Sequence, residues 1–600
     1  MRTPPVSSLA SIAPALLLAA LAACPAPPTA DESSTNNESE STAGDGDGDE
    51  GDESPVIICD PGETKCLDPA TLQVCAPTGL KWEDVPCGDK KECEPNFINR
   101  EGESVAACVG PCDKLSDSPS SEGCSFYTTS MYQALQPDEP PDGIVVGNPS
   151  ETDEATVELR WVPEGSNIEE LVGEPVTLAP GESHVFLLDP QITIYKTDME
   201  VTSLFRSGSV YHVVSDMPII AYLHAPFEER NTNGSTLLLP ENVLSGSYVV
   251  YSHGAWLPPN YFIVIAMENQ TTVTWRPTFQ TAGDALPLPF LEAGQTGEQL
   301  MNRFDNMRID TSIKDNPPFC QRDLSGTIIE ADKPIWVVSA VLAARLPWCG
   351  TPGNLGDPTA GCATITDNQN CSRGSDFAME QNLPLDYWGR EYVGPHSPLR
   401  GIESHHWRIY AGEDNIDVTV TPSQPGTPLH FDSRGEWAEL IVPNGTHLEF
   451  DGNGVFMPVQ YVTGHYDTVP PNPGPMEPVG IGSPAMVQMV PTAQFLDRYV
   501  FVPGSGYSEN YVQVIRPAVG SADVFLDGTD DDGTVIDGWE TVGEWQIATV
   551  LLKNENPHEI YSDDPFGIVQ YGYSPFIDNF FSSSGYAYMG GMKAEVIYIP

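Results

Sequence analysis

The residues of this chain whose types and spacing suit chemistry are a paired histidine, an aspartate-rich turn, a late aromatic cluster and thirteen cysteines. His405 and His406 open a Trp-Arg-Ile-Tyr run that reads as a strand. Successive side chains of a strand point to opposite faces, so this pair cannot chelate one metal. Asp527, Asp530 and Asp532 are calcium candidates within Asp527-Gly528-Thr529-Asp530-Asp531-Asp532-Gly533. Their order departs from the loop in which oxygen ligands alternate around a fixed glycine, and the segment reads as a hairpin tip, so the expectation is no metal. Tyr571, Tyr573, Phe576, Phe580, Phe581, Tyr586 and Tyr588 suit either a sugar-stacking platform or the packing of a last unit. No Gly-x-Ser-x-Gly elbow occurs. With 85 carboxylates, a pair at glycosidase separation carries no weight. The expectation is a protein without a catalytic set or a cofactor, not an enzyme.

The cysteines say more. Met1-Arg2-Thr3 precedes an apolar run, Leu9 to Leu21, too short to span a bilayer but suited to a secretory signal. Its end, Leu21-Ala22-Ala23-Cys24, resembles the bacterial lipobox, which implies that Cys24 becomes the acylated first residue of an outer-membrane lipoprotein held to the envelope by its lipid. Residues 24–54 contain almost nothing that packs and read as a disordered acidic tether. Eight cysteines follow in one window: Cys59, Cys66, Cys75, Cys87, Cys93, Cys108, Cys112 and Cys124. None forms a Cys-x2-Cys pair. In an exported chain this is a disulfide framework with its pairings open, and residues 55–112 read as a small module stabilised by bridges. Cys112 and Cys124 suit a loop closure at the start of the next region. Cys320, Cys349, Cys362 and Cys371 are candidates to staple a long loop.

The elements that must position these residues are short strands. The chain has 57 prolines and 53 glycines among 600 residues, punctuation too dense for long helices. A net charge of −58 repels nucleic acid and anionic headgroups. Three stretches repeat one spacing of eight residues, Pro240 to Tyr248, Pro384 to Tyr392 and Pro491 to Tyr499. A second element repeats as Asp216-Met217-Pro218, Asp332-Lys333-Pro334 and Asp563-Asp564-Pro565, each taken to begin a buried strand with its proline at the first residue. Asn453-Gly454-Val455 stands where a further copy would lack it. Between them lie strand pairs such as Tyr261–Ile265 with Thr272–Trp275. Residues 113–600 therefore read as four β units, about 125–230, 235–345, 376–465 and 484–590. The fold class is all-β, tandem antiparallel β-sandwich-like repeats, with a β-propeller-like arrangement as the alternative.

Gly123-Cys124-Ser125-Phe126-Tyr127, the Asp-x-Pro strands, the Leu-Pro to Tyr-Val junctions, Tyr387-Trp388-Gly389 and Gly585-Tyr586-Ala587-Tyr588 together resemble the N-terminal domain of the IgG Fc-binding protein family, from near Cys112 to near Met592. The resemblance implies a binding protein. It assigns no residue a role, and immunoglobulin is not the expected ligand of an anchored envelope protein. The expected partners are the membrane, through the lipid, and a glycoprotein or glycan, with no nucleic acid. Alternative readings are an extracellular glycan-directed hydrolase and an envelope component stabilised by divalent cations.

Overall fold

In a computed structural model of the chain, the described residues are 57–600 apart from 89, 99–102, 116–117, 134–140, 189–201, 229–232, 284–287, 315–320, 347–374, 470–479, 529–532 and 576–582. Among them there is no α-helix, only strands and short 3-10 turns.

The cysteine-rich module begins with a three-stranded sheet, Thr64–Asp68, Thr71–Cys75 and Trp82–Pro86. A hairpin of Glu92–Ile98 with Ser104–Val109 follows. Most of their side chains stay half or fully exposed, so little apolar surface is buried. Disulfides Cys59–Cys75, Cys66–Cys93 and Cys87–Cys108 supply what the core does not. Cys112–Cys124 closes the loop leading into the body. Lys90 then reaches the body, its Nζ 2.7 Å from both the Asp216 carboxylate and the Glu154 carbonyl.

The body holds four large antiparallel sheets of seven or eight strands. Each is organised on one long strand: Val210–Ala225, Ile328–Ala344, Leu448–Val462 and His558–Tyr573. The two halves of each long strand serve different layers. In the second unit the first half pairs with Ser245–Val249 and Thr271–Arg276, and the second half with Ala255–Ala266 and Asp376–Gln381. Tyr248, Val273, Trp275 and Ile329 of one layer pack against Phe262, Val264, Met307 and Val337 of the other. This is a sandwich core. The opposite face of the inner layer, including Tyr261, Ile263, Ile265 and Val338, joins an interior shared by the units. Inner strands are thus buried on both faces and read as unbroken apolar runs. Outer strands such as Ile416–Thr421 alternate buried and exposed.

The Asp-x-Pro element lies where the long strand passes between layers, and this corrects the expectation that it begins a strand. The long strand is already running, and the ladder shifts register there, between Val214 and Ile219 in the first unit. A proline in such a bulge removes no ladder hydrogen bond. The aspartate accepts a backbone N–H from the neighbouring outer strand: Thr156 to Asp216 at 2.7 Å and Thr272 to Asp332 at 2.8 Å. In the fourth unit Ala522 donates to Asp564 at 2.7 Å. The third unit does not lack the device, because Asn453 accepts from Asp417 at 2.9 Å.

The Pro-to-Tyr spacing has a matching cause. Pro240, Pro384 and Pro491 each precede a one-turn 3-10 helix that redirects the chain into the next unit's first strand. The tyrosine hydroxyl then fills the gap that the bulge leaves. Tyr248 accepts from the Ser245 N–H at 3.2 Å and donates to the Ile335 carbonyl at 2.7 Å. Tyr392 and Tyr499 accept from Gly389 and Leu496 at 2.8 and 2.9 Å. In the first unit Phe126, opposite Val213, takes the corresponding place without the hydroxyl. Gly123 and Gly389 admit the following junction proline so closely that a Cβ would lie 2.2 and 2.5 Å from the Pro240 and Pro491 side chains.

The strand before each junction proline closes the preceding unit's sheet. These strands, Gly234–Leu237, Asp376–Gln381 and Ala485–Gln488, meet Gly585–Met589 of the last unit in cyclic order, forming a closed ring of four sandwiches. Gln381 and Gln488 accept the backbone N–H groups of Leu239 and Leu383, both at 2.9 Å, which locks neighbouring units. The ring closes where Ser121 donates to the Met592 carbonyl at 2.8 Å and Ala594 to that of Pro119 at 2.8 Å.

Candidate functional site

Several residues singled out in the sequence, namely Cys24, Cys320, Cys349, Cys362, Cys371, Asp530, Asp532, Phe576, Phe580 and Phe581, lie outside the described residues. Asp527 has left-handed backbone, φ 51°, at its hairpin tip. Its carboxylate faces His558 Nδ1 at 2.9 Å and accepts the Glu559 N–H at 3.2 Å. Burial lowers the His558 pKa, and the Asp527 contact outweighs it, so the net shift is upward. The sugar-platform reading fails for the described tyrosines. Tyr571, Tyr573, Tyr586 and Tyr588 are at most 1% exposed, and a stacking surface must be open.

His405 and His406 lie buried on their strand. His396, His447 and Glu540 have ligand atoms close enough together to hold an ion. The two rings, however, stack 4.0 Å apart at 10°, so their in-plane lone pairs run parallel and cannot converge on one ion about 2.0–2.1 Å from each. His447 Nδ1 also accepts the His396 N–H at 3.0 Å, which leaves the neutral ring's proton on Nε2, facing Glu540. The rings of His396, His447 and His405 form a packed stack bracing the third unit. Burial holds His447 down at about 3 and His405 well below the usual imidazole range.

The open, chemically varied positions recur at the seams between units. On each first strand the residue before the junction aromatic is Ser125, Ser247, Glu391 or Arg498, and it faces the following unit. At the second-to-third seam Ser247 donates to Glu330 at 3.2 Å, and Glu330 pairs with Arg434. At the third-to-fourth seam Glu391, Glu449, Asp451 and Glu544 line a cavity of about 330 Å³ with Tyr392 and Trp545. Burial, reinforced by the other three carboxylates, raises the Glu449 pKa.

The fourth-to-first seam holds a cavity of about 470 Å³, within the range of small-ligand sites. Arg498 stands in it, paired with Glu151 of the first unit and Glu559 of the fourth. His558 with Asp527, and Tyr561, line the rest. Tyr561 stacks on Phe525, with ring centroids 5.4 Å apart. Carboxylates, a guanidinium and an aromatic face in one open groove can hydrogen-bond hydroxyls and stack a sugar ring.

The first-to-second seam is different again. Ser125 Oγ lies 2.8 Å from His212 Nε2 and 2.8 Å from Glu241 Oε2. His212 Nδ1 is bonded to the Glu169 carboxylate. Tyr127 stacks on the imidazole at 4.2 Å and 11°, and donates to Glu241 at 3.2 Å. Arg303 of the second unit donates to the Tyr127 hydroxyl at 3.0 Å. The His212 hydrogen bond holds Glu169 below the ordinary carboxylate range against the opposing effect of burial. Burial and then Glu241 push the Tyr127 phenol up to about 12. The sequence reading missed this group because its members are far apart in the chain. Only the pairing of His212 opposite Tyr127 assembles them. The polar residue that precedes each junction aromatic was the signal available.

A family model described as IgGFc binding protein matches residues 234–572, more than half of the chain. The chain belongs to this family. The match opens on the strand that closes the first sheet and ends within the last long strand, so it takes in units two to four. The first unit keeps the same plan outside the match, with Phe126 in place of the junction tyrosine. None of the curated proteins matches the chain. For an IgGFc-binding family member, four disulfides in an all-β chain point to an oxidising, extracytoplasmic compartment. Among the described residues no helix is long and apolar enough to cross a membrane.

Proposed function

We propose that the protein is a binding protein of the bacterial cell envelope, anchored to the outer membrane through acylated Cys24 and without enzymatic turnover as its main task. The ring of sandwiches is its scaffold, and a glycan or glycoprotein is its ligand. The observation that carries this reading is the fourth-to-first seam groove, open, about 470 Å³ and lined by paired charges beside an aromatic face, in a member of a binding family. The lipobox-like Leu21-Ala22-Ala23-Cys24 and the acidic stretch after it support an anchor and a tether. The net charge of −58 argues against nucleic acid as a partner.

The mature chain should be screened against immobilised glycans and glycoproteins, with immunoglobulin Fc included. The expected result is binding to a glycan or glycoprotein set that falls at least tenfold in R498A and Y561A while the fold is retained. Equal binding by wild type and both variants would remove the groove from the reading. Mass spectrometry of the mature N-terminus checks the anchor: a diacylglyceryl adduct on Cys24 is expected, and an unmodified N-terminus would refute it. If divalent cations instead stabilise an envelope component, calcium raises the melting temperature, through the third-to-fourth seam carboxylates.

A further inference from the structure

We propose that Ser125 is a latent nucleophile, activated through His212 and Glu169 and held off in the resting protein by Glu241. The parts of an acyl-transfer site meet at this seam. Ser125 Oγ lies 2.8 Å from His212 Nε2, hydrogen-bond reach for a general base. The Glu169 carboxylate binds Nδ1, which fixes the tautomer and orients the ring. The stacked Tyr127 ring holds the imidazole from its face. Ser125, Glu169 and Glu241 are each partly exposed, so the group opens to solvent.

The state of the group follows from counting protons. A carboxylate only accepts, so Ser125 gives its single proton to Glu241. While Glu241 holds that proton, Oγ has none to pass to His212, and the serine is not activated. Glu241 Oε2 also accepts from the Tyr127 hydroxyl at 3.2 Å, with Arg303 behind that hydroxyl at 3.0 Å. Its carboxylate therefore stands where a substrate's acyl group belongs, its oxygen held by a donor and next to the nucleophile.

Two comparisons within the ring separate this from an ordinary seam lock. The second seam has a serine-to-carboxylate bond as well, Ser245 to Asp386, and needs no histidine for it. The position of His212 on the long strand is held by Ile328, Glu449 and Glu559 in the other units, each opposite the residue after the junction tyrosine.

The substrate class is a carboxylic ester with a short acyl group, because the acyl part must fit the space of one glutamate carboxylate. With Glu241 withdrawn and Nε2 unprotonated, Ser125 Oγ attacks the carbonyl carbon and its proton passes to Nε2. The carbon–alkoxy bond breaks, and the proton goes to the leaving alcohol. Water then attacks the acyl-serine, gives a proton to Nε2, and releases the carboxylic acid as Oγ takes the proton back.

The test uses the mature chain with a fluorophosphonate probe and p-nitrophenyl acetate. E241A is expected to label at Ser125 at least about tenfold faster than wild type, and E241A/S125A not at all. E241A/H212A should fall by about 100-fold, within the usual worth of a general base. E241Q keeps the side-chain volume and must rank above wild type too, should E241A fail to fold. Glu169 is a positioning residue: E169Q in the E241A background should move the acid limb of the labelling profile to lower pH, which loss of packing alone would not do. A folded E241A or E241Q chain that labels no faster than S125A overturns the proposal. Binding in the fourth-to-first groove is read separately and is untouched by either outcome.

Discussion

The cysteine-rich module and the ring of sandwiches solve the same stability problem in opposite ways. Within residues 59–112 the strands leave most side chains half or fully exposed, and three disulfides confine the chain. In the ring, the inner layers of four units pool their outer faces into a shared interior with Trp336 at 0% exposure. A small segment cannot remove enough apolar surface from water, and cross-links act on the unfolded chain instead. A large closed assembly buries two faces of each inner sheet and depends on packing.

The sharpest way to break that contrast is a cavity. Trp336→Ala should cost the ring about 3–5 kcal/mol, lower its melting transition, and leave the module's proteolysis pattern unchanged. The pair Cys66→Ala with Cys93→Ala should do the converse. The module loses about 2–5 kcal/mol and is cleaved by protease, while the ring's transition stays in place.

Acid should also separate the two regions, because residues 59–112 contain no histidine. In the ring, burial depresses His224 and His253 to about 4 and His447 and His465 to about 3. Below the ordinary imidazole pKa of about 6.5 the unfolded chain takes up protons that these buried rings refuse. Their contribution is whole above that pH and is lost as pH falls towards 3. Asp142, raised by burial to about 7, acts with the opposite sign: its native carboxyl binds a proton that the unfolded one sheds, which adds stability as pH falls from 7 towards 4. Melting at pH 7, 5 and 4 should therefore show ring destabilisation that Asp142→Asn makes steeper and His447→Gln makes shallower, with the module unchanged.

The smallest expected effect concerns the seams. Tyr248→Phe removes a hydroxyl that both accepts and donates at the bulge, and should cost about 1–2 kcal/mol. The first unit already carries phenylalanine there, so Phe126→Tyr is the reciprocal check. It should gain less than Tyr248→Phe loses.

Much of the fold was legible because burial writes itself into local patterns. Tyr261 to Ile265 is apolar without interruption because both its faces are covered, while Ile416 to Thr421 alternates because one face meets water. The proline-to-tyrosine spacing was legible too, since a 3-10 turn and a bulge-filling hydroxyl need those residues at a fixed distance. The role of Asn453 was not legible. A side-chain carbonyl accepts a backbone N–H as an aspartate does, and letter matching does not register the equivalence. The aromatic cluster misled for a related reason: a tyrosine's type suits an open platform and a core equally, and only its surroundings decide.

By itself, the sequence determined the class of structure, the four-fold repetition, the disulfide-bearing segment and the family, because all of these depend on residue type and on spacing along a few dozen positions. Tertiary structure alone decided that the repeats close into a ring, which cysteines pair, and which residues meet at the seams. Ser125, Glu169, His212 and Glu241 come together through strand register and a junction turn, contacts between residues far apart in the chain. The one local trace of such encounters is the polar residue before each junction aromatic, because each partner is selected by a neighbour that only the folded ring supplies.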